Sequence, residues 1–132
     1  MTSPERIEGG GLGARSAAIS NAMVRLLHEY TGRGPTRART TIGDDLIVCV
    51  LADTLTRSER KLVDGGEERL VLEERATLQR LMRDEAISAV EGLSGRTVAA
   101  FMSNNHIDPD MAVETFVLVP RATEAPPEPD PQ

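Results

Sequence analysis

The sequence predicts an α+β domain, a two-layer sandwich in the order αββααββ, with a four-stranded, mainly antiparallel sheet and helices on one face. Three observations predict it. Apolar residues recur at three- and four-residue spacing in two separate stretches, strand-like segments come as two close pairs, and turn residues stand at the junctions.

Ile19, Ala22, Met23, Leu26, Leu27 and Tyr30 place one apolar stripe on a helix from about Ala14 to Thr31, and Gly32 supplies its stop. Ala38, Thr40 and Ile42 then alternate with Arg37, Arg39 and Thr41, and Gly43-Asp44-Asp45 turns the chain into a second strand, Leu46 to Leu51. Thr56 followed by Glu59 is a capping-box signature for a short helix that Gly65-Gly66 ends. A longer helix follows from Glu67 to about Glu91, with Leu78, Leu81, Met82, Ala86, Ala89, Val90 and Leu93 along one side. The third strand runs through Val98, Ala100 and Met102. The fourth runs from Val113 to Val119, and the polar segment Ser103 to Asp110 joins them as a loop closed by Asn104, Asn105 and Asp108.

Composition divides the chain into a lead-in over residues 1–13, one domain over 14–120 and a tail over 121–132. The lead-in is glycine-rich without a hydrophobic period, and the tail is proline-rich and acidic. Gly9, Gly11 and Ala14 match a dinucleotide-binding pattern formally, but no strand precedes them, so no cofactor is expected.

Fifteen basic against 21 acidic residues give a net charge of −6, which opposes attraction to phosphate backbones. With Tyr30, Phe101 and Phe116 as the only aromatic rings, nucleic acid is not an expected partner. The lone cysteine, Cys49, sits in an apolar run and reads as a buried core thiol. No apolar run approaches the roughly 18 residues of a membrane span, and a cytoplasmic location is expected.

Two polar segments concentrate ligand-capable groups. In the first, Arg33, Arg37 and Arg39 surround Gly34, whose lack of a side chain allows close backbone approach, and guanidinium groups so spaced suit a carboxylate, phosphate or bicarbonate. The bland alternative is a solvated strand face neutralised by Asp44, Asp45 or helix glutamates. In the second, Asn105, His106 and Asp108 are ligand candidates. His106, Asp108 and Asp110 supply three metal donors where a structural site takes four, so no metal is expected. General acid–base work needs His106 beside a carboxylate such as Asp108 or Glu114, in a pocket with an activated nucleophile. No nucleophile elbow or triad spacing accompanies it, no catalytic residue is assigned, and His28 falls on the polar side of the first helix.

The wording of the loops resembles a family of small bacterial proteins described as the MpsC component of a sodium-translocating, membrane-potential-generating system. The resemblance spans about Ile19 to Pro120. It is carried by Ile19-Ser20-Asn21-Ala22, Gly32-Arg33-Gly34-Pro35, Asp45-Leu46, Leu55-Thr56-Arg57-Ser58-Glu59, Leu93-Ser94-Gly95-Arg96, Asn105-His106-Ile107-Asp108-Pro109-Asp110 and Glu114-Thr115-Phe116. It implies a noncatalytic accessory or regulatory domain associated with a membrane ion or bicarbonate uptake system. Such a domain acts through a protein partner such as a membrane transport subunit, with a small anion at the arginine edge. A homodimer is also expected, because a two-layer domain leaves one sheet face needing cover. The competing expectation is a small-ligand sensor or small enzyme in which the Asn-His-Ile-Asp-Pro-Asp loop and the arginine edge meet at one cleft.

Overall fold

The computed structural model describes residues 11–121. The glycine-rich run through Gly10 and the proline-rich acidic run from Ala122 lie outside the described residues. Helix α1, Leu12–Thr31, begins two residues before the position that apolar spacing alone indicates. Its buried residues are Ile19, Ser20, Ala22, Met23, Leu26 and Leu27. Gly32 ends it in the left-handed region at φ 82°, where its amide donates to the His28 carbonyl at 2.8 Å.

Strands β1 (Arg37–Ile42) and β2 (Leu46–Ala52) form the first hairpin, and β3 (Val98–His106) and β4 (Met111–Leu118) the second. All neighbours pair antiparallel in the order β1-β2-β4-β3, so the two hairpins join through β2 and β4 and leave β1 and β3 as edges. Register places Arg37, Ala52, Met111 and His106 in one row across the sheet, and Thr40, Cys49, Glu114 and Ser103 in another. β3 continues through Asn104, Asn105 and His106, so the connecting turn is shorter than the polar composition indicates.

The helical layer covers one sheet face. Helix α1 lies over β1 and β2, and α4 (Arg83–Ser94) lies beside α1 and over β3. α3 (Glu68–Leu81) lies over β3, and α2 (Arg57–Asp64) packs on α3. The core between the layers joins Met23 and Leu27 of α1, Ile47, Cys49 and Leu51 of β2, Phe116 and Leu118 of β4, and Met82, Ala86 and Val90. Phe101 stacks against Phe116 with ring centroids 4.9 Å apart. Tyr30 donates its hydroxyl hydrogen to Glu85, fastening the end of α1 to α4.

The single long helix expected from Glu67 to Glu91 is two helices that break at Met82, whose φ of −91° and ψ of 2° leave the helical range. Both flanking hydrogen bonds survive, from the Met82 amide to Leu78 and from Ala86 to the Met82 carbonyl, each 3.0 Å. Neither glycine nor proline marks the bend. Bending buries Met82 to 1% exposure while Leu81 next to it stands 63% exposed. Leu93 is also exposed, so the apolar side read from spacing is narrower in the folded protein.

Because Phe116 is fully buried and anchors the ring pair, Phe116→Ala should cost about 3–5 kcal/mol in urea unfolding, whereas Val48→Ala on the uncovered face should cost well under half of that.

Candidate functional site

Both polar segments singled out in the sequence lie at one end of the sheet, the end defined by the Arg37-Ala52-Met111-His106 row. They stand on opposite edges, however. Three interstrand spacings of about 4.8 Å put the Arg37 and His106 backbones roughly 14 Å apart. A small anion would bridge them only with both side chains extended toward each other across Ala52 and Met111.

The space between the edges is filled by the crossover that follows β2. Asp53 takes a left-handed backbone at φ 60°, which an aspartate tolerates better than most residues. Its amide donates to the Asp110 carbonyl at 3.0 Å, and its own carbonyl accepts from Arg33 Nε at 3.0 Å. Its carboxylate accepts from Thr36 Oγ1 at 2.6 Å and lies 3.8 Å from Arg60. The Thr36 hydrogen bond above all, then the fields of Arg60, Arg33 and Arg37, hold the Asp53 carboxyl below its usual range.

Asp110 turns inward. Its carboxylate accepts from the Thr54 amide, the Thr54 hydroxyl and the Leu55 amide, each at 2.9 Å, and from Arg60 at 3.1 Å. It clamps the turn before β4 onto the crossover into α2. Among the described residues no group of three metal-ligating side chains is assembled.

Thr56 and Glu59 form the expected capping box, with Glu59 N to Thr56 Oγ1 at 3.1 Å and Thr56 N to Glu59 Oε1 at 2.8 Å. Glu59 serves a second purpose that the sequence did not disclose. Arg75 of α3, 1% exposed, grips it with Nε to Oε2 at 2.9 Å and Nη2 to Oε1 at 2.6 Å, and also donates to the Thr54 carbonyl. Burial pushes the Glu59 carboxyl up, but the hydrogen bonds from Arg75 and Thr56 outweigh it and leave the pKa lowered.

Gln79, one turn beyond Arg75, exchanges two amide hydrogen bonds with Asn105, at 3.0 and 2.8 Å. It also donates to Glu114 at 3.3 Å, and Ser103 donates its hydroxyl hydrogen to the same carboxylate. Glu114 is fully buried, and its pKa rises to about 7 because desolvation outweighs Ser103, Gln79 and the more distant Arg75.

The sequence-predicted residues therefore divide. Arg33 braces the crossover, and Gly34 lies against α1, where an added Cβ would stand 3.6 Å from the His28 ring. Asn105 is held inside by Gln79 rather than closing a turn. His106 and Asp108 are exposed, with His106 Nδ1 2.8 Å from the Pro109 carbonyl. Arg37 and Arg39 project from the uncovered face. Asp44 and Asp45 are at the far end of the sheet, where Arg96 binds the Asp44 carbonyl at 2.7 Å and the Asp45 carboxylate at 3.0 Å, so they do not neutralise the arginine edge.

That uncovered face is the most extended candidate surface. Strand alternation turns Val48, Val50, Val113, Thr115 and Val117 away from the helices, with exposed Leu46 and Met102 beside them. A depression of about 630 Å³ at the arginine end is lined by Thr36, Arg37, Ala38, Arg39, Val50, Ala52 and Met111. Val113 and Val117 are legible as a strand face in the sequence. Which face is covered is not, because Phe116 and Leu118 alternate with them and are equally apolar.

Fold and surface together define a small α+β domain with one bare sheet face and a buried polar network beneath its helices. The chain belongs to the family described as Na+-translocating membrane potential-generating system (MpsC), whose model matches residues 12–119. Membership ties it to such a system. No curated protein and no solved structure matches it. Among the described residues no helix is long and apolar enough to cross a membrane.

Between its ordinary 4.5 and about 7, Glu114 stays protonated in the folded chain while the unfolded chain releases the proton, so stability should fall as pH rises across that window and level off above it. Denaturant titrations should find a total change of about 3 kcal/mol, and Glu114→Gln should flatten it. Removing one member of the buried pair, as in Glu59→Gln, should cost about 3–5 kcal/mol, while the double change Glu59→Met with Arg75→Met should recover most of it.

Proposed function

We propose that the protein is a noncatalytic accessory or regulatory domain of the membrane-potential-generating system and acts by docking a protein partner on the bare face of its sheet. The observation that carries this reading is the face itself. A row of valines on the two central strands has no layer over it, and covering such surface contributes roughly 25 cal/mol per Å². The partner is a membrane transport subunit, through which any effect on translocation is transmitted, and the domain works in the cytoplasm. A small anion bound between Arg37 and Arg39 modulates the contact.

Homodimerisation fits a different surface, the exposed leucines Leu70 and Leu81 on the outer side of α3. The sensor or enzyme reading draws support from the shared end of the sheet, but the separation of Arg37 from His106 favours docking.

The double variant Val50→Thr, Val113→Gln, which keeps the strand pair uncharged, should unfold within a few degrees of wild type and lose association with the membrane subunit in cells that make both. Association at wild-type level would refute docking on this face. Thermal unfolding with phosphate and with bicarbonate discriminates the second reading: a stabilisation abolished by Arg37→Ala and equally by His106→Ala would transfer the function to a ligand site shared by both edges.

A further inference from the structure

We infer that the element docked on the bare sheet face is an acidic amphipathic helix, its apolar stripe on Val48, Val50 and Val113 and its carboxylates on Arg37 and Arg39. The inference rests on the docking reading above and adds the chemistry of what docks.

Charge is the first argument. The outward strand positions are Arg37, Arg39 and Thr41 on β1, Leu46, Val48, Val50 and Ala52 on β2, Met111, Val113, Thr115 and Val117 on β4, and Ala100, Met102, Asn104 and His106 on β3. None is a carboxylate, in a chain with 21 acidic against 15 basic residues. Arg39 has no ion pair among the described residues. Arg37 acts on Asp53 through its field alone, and that carboxylate already accepts from Thr36. The two guanidinium groups are thus a cationic edge to an apolar floor, with no carboxylate bonded to either among the described residues.

A second copy of this face would bring four arginines together and supply no acid. A partner bearing carboxylates beside apolar side chains answers both features at once.

Spacing is the second argument. Arg37 and Arg39 are two residues apart on one strand, about 6.8 Å at 3.4 Å per residue. Carboxylates one turn apart on a helix, at i and i+4, are offset by about 6 Å along its axis. A helix laid along the strands therefore offers one acid to each arginine from the same flank. Its apolar stripe then falls over β2 and β4, and the depression floored by Val50, Ala52 and Met111 receives a side chain from that stripe. The contact completes a third layer over a sheet that has helices on its other side only.

The test uses the full chain and two synthetic amphipathic peptides of about 14 residues, each with a leucine stripe, one flanked by glutamates and the other by lysines. Fluorescence anisotropy should show binding of the glutamate peptide alone, weakened by added salt and reduced about tenfold or more in Arg37→Glu, Arg39→Glu. Both arginines are exposed, so the variant should retain its unfolding temperature. Equal binding of the two peptides, binding of neither, or indifference to the double charge reversal would overturn the inference.

A photo-crosslinker at Val113 in the native cell separates this failure from failure of the docking reading. A heterologous adduct lost on charge reversal supports both. A heterologous adduct that persists refutes the acidic partner and keeps the docking face, and adducts only to a second copy, or none, refute both.

Discussion

The grip of Arg75 on Glu59 is the constraint around which the helical layer is arranged. A guanidinium that is 1% exposed needs acceptors, and Glu59 meets its Nε and Nη2 with both oxygens while closing the capping box of α2, leaving the buried Nη1 without a hydrogen-bond partner. The same arginine reaches the Thr54 carbonyl, so one side chain fixes α3, the start of α2 and the crossover from β2. Asp110 secures that crossover from the other side by taking the Thr54 and Leu55 amides. The geometry of the arginine-bearing end is thereby set from beneath, by the buried Arg75–Glu59 pair and by the largely buried Asp110.

Glu114 extends the network into the sheet. It occupies an inward position between Ala112 and Phe116, where parity calls for an apolar side chain, and is tolerated because Ser103 and Gln79 donate to it. A carboxyl held near neutrality this way stays uncharged where an exposed one would be ionised. Gln79 also pairs with Asn105, so the residue that holds Glu114 ties α3 to the edge strand.

The docking role proposed above falls on the opposite face. The polar network engages Arg33, Asp53, Arg60, Asn105 and Asp110 in holding the fold together. What stays available is a sheet surface of valines with Arg37 and Arg39 along one edge. Such a surface is what the proposed docking role draws on, in a chain that belongs to the family of a membrane-potential-generating system.

Local interactions made much of the fold legible. The α1 stripe, the Gly32 stop, the Thr56 capping box and the two hairpins depend on neighbours three to five residues away, so the order of residues was enough to specify them. It also marked Arg37 and Arg39 as one strand face and Cys49 as a core thiol. The bend at Met82 left no local mark: neither glycine nor proline stands there, and both flanking helical hydrogen bonds persist. The buried roles of Arg75, Gln79 and Glu114 were not legible because their partners lie 11 to 35 residues away in the chain and only the fold brings them together. Which of two equally apolar strand faces the helices cover was settled by packing in three dimensions, since strand alternation sets parity and leaves the side open.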